Sequence, residues 1–247
     1  MVHVSFAPLE FAGRDWALSG GGALFWPGEN ALVVADLHLE KASWYAQRGQ
    51  MLPPYDSRAT LERLAEAIRA TGARRVFCLG DSFHDAAGPQ RLESHAAEVL
   101  ATLTRATDWV WITGNHDSGI SNSDHSLGGT LATELTIAGI ALVHEALPGR
   151  SGGQGAAEIS GHFHPKLGVT ARGRRIARPC AVRGAAKLVL PALGAFTGGL
   201  DAVDPAIHCA LQPARDIDAL LTAAGHGGHA RLITYPLWRE GRRALLH

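Results

Sequence analysis

Three short apolar runs, Ala31 to Ala35, Arg75 to Leu79 and Trp109 to Thr113, alternate with stretches of helical periodicity, and this alternation constrains the fold more than any other feature. Between the first two, Leu61, Leu64, Ala65 and Ile68 recur at helical spacing after Pro53-Pro54 and up to Gly72, with Asp56 or Ser57 placed to cap the helix. Between the second and third, Arg91 to Arg105 repeats the amphipathic pattern. Strands separated by helices cannot pair through a tight hairpin, so a β-α-β-α-β order implies a parallel sheet with helical crossovers.

The flanks differ in character. Val2 to Phe25 alternates loosely apolar and polar, which predicts a hairpin turning at Ala12-Gly13 and a further strand after Ser19 to Gly22. Leu131 to His144 reads as a hairpin around Ala138-Gly139, followed by strands near Ala157 to Ser160, Leu167 to Thr170, Arg175 to Arg178 and Lys187 to Leu190. A helix near Asp216 to Ala224 and a last strand near Leu232 to Tyr235 complete the pattern. The expectation is an α/β protein with two mixed sheets face to face and helices outside, in one domain over residues 1–247.

Composition narrows the function classes. The 247 residues are 46% apolar and 19% charged, a globular composition long enough to build a core without staples. Three cysteines without C-x-x-C spacing argue against a disulfide framework or a thiolate zinc site. No apolar run approaches the ~18 residues of a membrane span, and Glu10, Arg14 and Asp15 interrupt any signal-like core, so a cytoplasmic protein with no membrane partner is expected. The 23 basic and 23 acidic side chains cancel, so a nucleic-acid partner has to be argued from local patches. Against this neutral background stand 13 histidines, the residue most used as a metal ligand and as a general acid or base.

Many of those histidines fall just past apolar runs. The segments are Asp36-Leu37-His38, Gly80-Asp81-Ser82-Phe83-His84-Asp85, Gly114-Asn115-His116-Asp117, His144-Glu145 and Gly161-His162-Phe163-His164. Side chains two apart on an extended segment point the same way, so Asp36 and His38 are expected to grip one cation together. In parallel sheets, ligands gather beyond the carboxyl ends of strands, where distant segments converge. Oxygen and imidazole donors without thiolate suit manganese, iron or zinc. Any one segment alone has a structural explanation; their joint order after five apolar runs does not. No G-x-S-x-G elbow or Walker loop competes.

In this order, D-x-H, G-D-x-x, G-N-H-D, a lone histidine and G-H-x-H resemble the calcineurin-like binuclear metallophosphoesterases. The resemblance implies a four-layer α-β-β-α sandwich and two divalent ions. Asp36, His38 and His164 would hold one ion, Asn115, His144 and His162 the other, with Asp81 bridging. His116 would act at the scissile phosphate and leaving group, oriented by Asp117. Two cations sharing a water lower its pKa toward neutrality, which implies hydrolysis by a bridging hydroxide.

A narrower resemblance rests on Asp36 to Lys41, Leu52 to Asp56, Gly80 to Asp85, Ala157 to Lys166 and Pro191 to Leu200. These are similar to the ligase-associated DNA damage response endonucleases, from about Trp26 to Asp204. That family implies a manganese-dependent endonuclease on single-stranded DNA in repair, associated with a DNA ligase and a helicase. It also implies an active-site role for His84 as a phosphate or metal contact, with Asp85 orienting it; the alternative is a strand-end histidine bonded to backbone. His125 is a candidate for the same phosphate pocket. Arg172, Arg174, Arg175, Arg178, Arg183 and Lys187 line either a phosphate groove or a solvated strand face. Trp44, Tyr45 and Tyr55 either stack unpaired bases or pack at the rim. Two other functions stay open: a small-molecule phosphodiesterase or nucleotide pyrophosphohydrolase, and a metal-free scaffold, against which the complete ligand set argues.

Overall fold

A computed structural model describes residues 4–117, 127–149, 157–171, 173–225 and 229–240. The first half forms a seven-stranded sheet in sequential order: β1 (Phe6–Phe11), β2 (Arg14–Ser19), β3 (Leu24–Trp26), β4 (Ala31–Val34), β5 (Arg75–Leu79), β6 (Asp108–Ile112) and β7 (Thr130–Ala132). Strands β1 to β4 pair antiparallel and β4 to β7 parallel. Between β4 and β5 lie α1 (Lys41–Ala46) and α2 (Asp56–Thr71), and between β5 and β6 lie α3 (Gly88–Arg91) and α4 (Ser94–Ala106).

β4, β5 and β6 are apolar apart from Arg75 and Asp108, where β5 and β6 begin, because both faces are covered. Val33, Phe77, Leu79 and Ile112 enter the core between the sheets. Their neighbours Leu32, Val34, Val76, Cys78, Trp109 and Trp111 pack on Leu61 and Leu64 of α2 and Ala96 and Leu100 of α4.

The second sheet also has seven strands, formed by β8 (Leu135–Ile137), β9 (Ile140–Leu142), β10 (Ala157–Ser160), β13 (Ala181–Arg183), β14 (Lys187–Val189), β15 (Asp216–Ala224) and β16 (Ala230–Arg239). A separate hairpin, β11 (Lys166–Ala171) with β12 (Arg174–Pro179), and one short helix, α5 (Pro205–Ala210), lie beside it. Phe163, Leu167, Val182, Val189, Ile207, Leu211 and Ile217 build the core on this outer side. The four layers are therefore unequal: two long helices cover the first sheet, and a six-residue helix with a hairpin covers the second.

Three expectations need correction. Asp216–Ala224 is a strand rather than a helix. It lies between β13 and β16, with Ile217, Ala219 and Leu221 in the outer core and Leu220 in the inner one, and burial on both faces erases the alternation that marks a strand. The turn at Ala138-Gly139 joins β8 to β9, but Leu131 sits in β7 of the other sheet. Asp56 and Ser57 do not cap α2; Asp56 Oδ2 accepts the Ala42 N–H at 2.9 Å, and Ser57 Oγ accepts the Glu40 N–H and donates to Glu40 Oε1, both at 2.8 Å. They tie the helix to the segment that follows β4. Among the described residues no helix is long and apolar enough to cross a membrane.

Candidate metal centre

The motif segments follow β4, β5, β6, β9 and β10 and meet at one edge of the two sheets. Their backbone is unusual: Asp36, His38, Glu40, Asp81, His162 and His164 all have positive φ, between 43° and 71°. Each such non-glycine residue costs about 1–3 kcal/mol and persists only where its surroundings over-determine it. Here they do. Asp36 N–H donates to Gly80 O at 3.2 Å, His38 N–H to Asp81 O at 2.9 Å and Leu39 N–H to Ser82 O at 3.0 Å, so the loops stay paired beyond the strands. Gly161 N–H reaches His144 O at 2.9 Å. A Cβ at Gly80 would lie 2.3 Å from His144 Nδ1, and one at Gly161 2.5 Å from Asp36 Oδ2, so side chains there would displace the donors.

Two groups of three donors result, Asp36–His38–His164 and Asp81–His144–His162, each with its ligand atoms within 4.8 Å of one another. In the first, His38 Nε2 and His164 Nε2 are 3.2 Å apart, and His164 Nε2 is 3.4 Å from Asp36 Oδ1. In the second, His144 Nε2 lies 3.1 Å from His162 Nδ1 and 3.5 Å from Asp81 Oδ1. Asp81 faces both groups, since its Oδ2 is 3.9 Å from His38 Nε2. His144 Nδ1 sits 3.0 Å from Leu79 O, which favours the tautomer that donates there and leaves the Nε2 lone pair for the centre.

Such facing lone pairs suit a divalent cation, which requires neutral imidazole. Burial, then His164, pushes the His38 pKa down to about 2, and burial also lowers that of His162 against the opposing charge of Glu145. His38 and His162 therefore stay unprotonated near neutral pH, and the oxygen and imidazole donors of the two groups fit a divalent metal.

The third motif forms the rim. Asn115 and His116 are exposed on the turn after β6, which His116 N–H ties to Asp81 Oδ1 at 2.9 Å. His116 Nε2 is 3.9 Å from Asp81 Oδ2, and its ring is 5.5 Å from that of His38. Asp117 was expected to orient the His116 ring. Its buried carboxylate instead accepts N–H groups of Gly114 at 2.9 Å, Ser82 at 2.9 Å and Phe83 at 3.3 Å, so it locks the turn to the β5 loop. Burial raises its pKa against those bonds.

His84 stacks on His116 at 5.7 Å and on Tyr45 at 5.8 Å, with Trp44 edge-on at 4.9 Å. Its Nδ1 is buried without a hydrogen-bond partner among the described residues, which disfavours the backbone-bonded reading. Burial, then Lys41, lowers its pKa to about 4. Asp85 is not its orienting partner, because Arg91 holds that carboxylate through both terminal nitrogens.

The basic cluster disperses. Lys187 is buried and donates to Leu147 O and Ala210 O, and Arg183 pairs with Asp218 at 3.4 Å. Arg174 is exposed at the turn end of the β11–β12 hairpin, five strand positions from Lys166 or about 16 Å along the strand, away from the ligand loops. His125, Arg172 and the side chain of Arg175 lie outside the described residues.

Sequence reasoning gave no role to Glu145, 3.7 Å from His162 Nε2, or to the buried Glu40 bonded by Ser57. Glu40's place after Asp36 and His38 was the available signal.

Two mixed sheets carrying oxygen and imidazole donors beyond their strand ends define a metal-dependent phosphoesterase, a hydrolase. A family model described as calcineurin-like phosphoesterase matches residues 30–166, more than half of the chain, and the chain belongs to that family. Among solved structures, the Pseudomonas putida nuclease MPE is 29% identical with a TM-score of 0.68, covering 87% of this chain and 96% of that one. Yfce, a phosphoesterase from E. coli, is 16% identical with a TM-score of 0.40, covering 82% and 97% respectively. No curated protein matches.

Proposed function

We propose that this chain is a phosphodiesterase that cuts single-stranded DNA internally, of the ligase-associated type, working with manganese in the cytoplasm alongside a DNA ligase and a helicase in repair. The observation that carries the reading is the pair of donor groups sharing Asp81, joined with the likeness to a nuclease over 87% of the chain. Asp36, His38 and His164 would hold one ion and Asp81, His144 and His162 the other; Asn115, on the exposed turn after β6, would join the second, and Asp81, whose Oδ2 is 3.9 Å from His38 Nε2, would serve both. Two divalent cations bound there would supply Lewis-acid stabilisation of phosphoryl oxygens and a water activated at neutral pH.

The protein's own side chains do the rest. Two carboxylates against two dications leave the centre cationic, which suits a phosphodiester monoanion and the extra charge of its transition state. His116, exposed at the rim, is placed to protonate the departing oxygen. His84 stacks on the His116 ring, and its neutral imidazole would serve as a phosphate contact.

Incubation with circular single-stranded DNA and manganese tests the reading. Linear and then shorter products are expected from the wild type and none from Asp81→Asn. Cleavage of small aryl diesters or dinucleotides in preference to DNA, in direct competition, would instead support the small-molecule function.

A further inference from the structure

The loop Pro191–Leu200, singled out by sequence, plays no part in the chemistry above, yet it is fastened to the ligand segments along its length. Leu193 N–H donates to Ala35 O at 2.9 Å, Gly194 N–H to Asp36 O at 3.2 Å, and Leu200 N–H to Phe163 O at 3.2 Å. Ala195 N–H adds a bond to Thr60 Oγ1 at 2.9 Å. From this rigid base the loop holds Phe196 outward, 44% exposed, at φ 58°. An aromatic residue in left-handed backbone is strained, and strain of this kind clusters at working sites. Tyr55, itself 55% exposed, meets the Phe196 ring edge-on at 5.7 Å.

The next residue links this aromatic pair to charge. Thr197 O accepts from Lys166 Nζ at 2.8 Å, and Lys166 lies two positions after His164. Lys41 lies three positions after His38, and its charge contributes to lowering the His38 and His84 pKa values. Among the described residues neither ammonium forms an ion pair. Lys41 is half-buried, and burial followed by the charge of Lys166 lowers its pKa, with Asp56 only partly opposing. Two neighbouring cations near the donor groups, offset only in part by Asp56, form a receptor for an anion. An exposed aromatic pair one residue away adds a surface for a flat apolar ring.

We propose that Tyr55 and Phe196 form a ledge on which an unpaired base of the substrate strand stacks, while Lys41 and Lys166 hold the phosphodiester running between that ledge and the metal centre. The combination selects one occupant: a free phosphate ester engages the lysines alone, and a duplex keeps its bases stacked internally, whereas single-stranded DNA offers both a backbone charge and an open base face. The inference rests on the nuclease reading and adds how the strand is gripped.

The test compares wild type, Tyr55→Ala/Phe196→Ala, Phe196→Gly, Phe196→Trp and Lys166→Gln. Calcium replaces manganese for measuring oligo-dT affinity by anisotropy, and manganese is restored for rates on single-stranded DNA and on an aryl phosphodiester. Phe196→Gly relieves the backbone strain, so it guards against misfolding. The double alanine variant is expected to weaken oligo-dT binding about tenfold or more, and to lower the ratio of DNA to aryl-diester kcat/KM by a similar factor. Phe196→Trp, which keeps an aromatic face on the ledge, should bind oligo-dT as tightly as the wild type, whereas Phe196→Gly should weaken it. Lys166→Gln should reduce the salt slope of binding by about 0.7. Wild-type DNA affinity in the double variant, or equal losses on both substrates, overturns the ledge while leaving the nuclease reading intact. A wild type that neither binds nor cuts single-stranded DNA, yet hydrolyses the aryl diester, overturns both.

Discussion

The two donor groups differ chiefly at their outer members. In the first, Asp36 is fully buried, its two oxygens accept the His162 N–H, and His164 closes the group at 16% side-chain exposure. In the second, His162 is 27% exposed, Glu145 stands beside it at 38%, and Asn115 is exposed on its turn. The first group is thus a closed socket built from β4 and β10 loops, and the second an open one facing the rim that carries His116. Closed geometry holds donors in place before metal arrives, and open geometry leaves room for water and phosphate. We expect the first ion to bind tightly and the second to exchange.

Replacing the carboxylate that faces both groups should have the largest effect. Asp81→Asn faces both groups, so its loss should exceed the ~100-fold typical of outer partners, in metal affinity and in rate. Next, His38→Ala and His162→Ala should separate the sockets. Titration of chelated protein is expected to show the tight uptake step lost in the first variant and only the weak step lost in the second. Equal effects would erase the distinction. Asp117→Ala should be milder, about 10-fold in rate, because it frees the turn bearing Asn115 and His116 without removing a donor.

The smallest effect is on stability. In the metal-free protein burial pushes the His38 and His84 pKa values down to about 2 and about 4, from about 6.5 in an unfolded chain. Between those values the unfolded state binds more protons, so stability rises with pH and is lost as pH falls below about 6.5. Thermal melts from about pH 7 to pH 5 should show a falling Tm, with a shallower slope in His38→Leu. An unchanged slope would mean that the closed socket does not exclude protons.

The same contrast between halves governs how much of the molecule was legible in sequence. The parallel core was readable because helices with clear 3.6-residue periodicity separate its strands. In the second half, β15 is buried on both faces without such a separator, and its apolar run imitated a helix. The donors were legible as residue types past apolar runs; their arrangement was not. Asp36 and His38 do share a group, but through alternating left-handed backbone rather than an extended strand. The same spacing in His162 and His164 sends the two rings to different groups, which no rule of alternation predicts. Asp117 and Asp85 were misassigned for a related reason, since a carboxylate's partner depends on backbone donors and a guanidinium brought close only by folding.

Metal stoichiometry tests the central claim most directly. Chelated protein titrated with manganese, with uptake followed by calorimetry and bound metal measured after desalting, should take up two ions per chain in two distinguishable steps, and Asp81→Asn should abolish both. A folded wild-type chain that binds no manganese, or that binds two equivalents unaffected by Asp81→Asn, contradicts it.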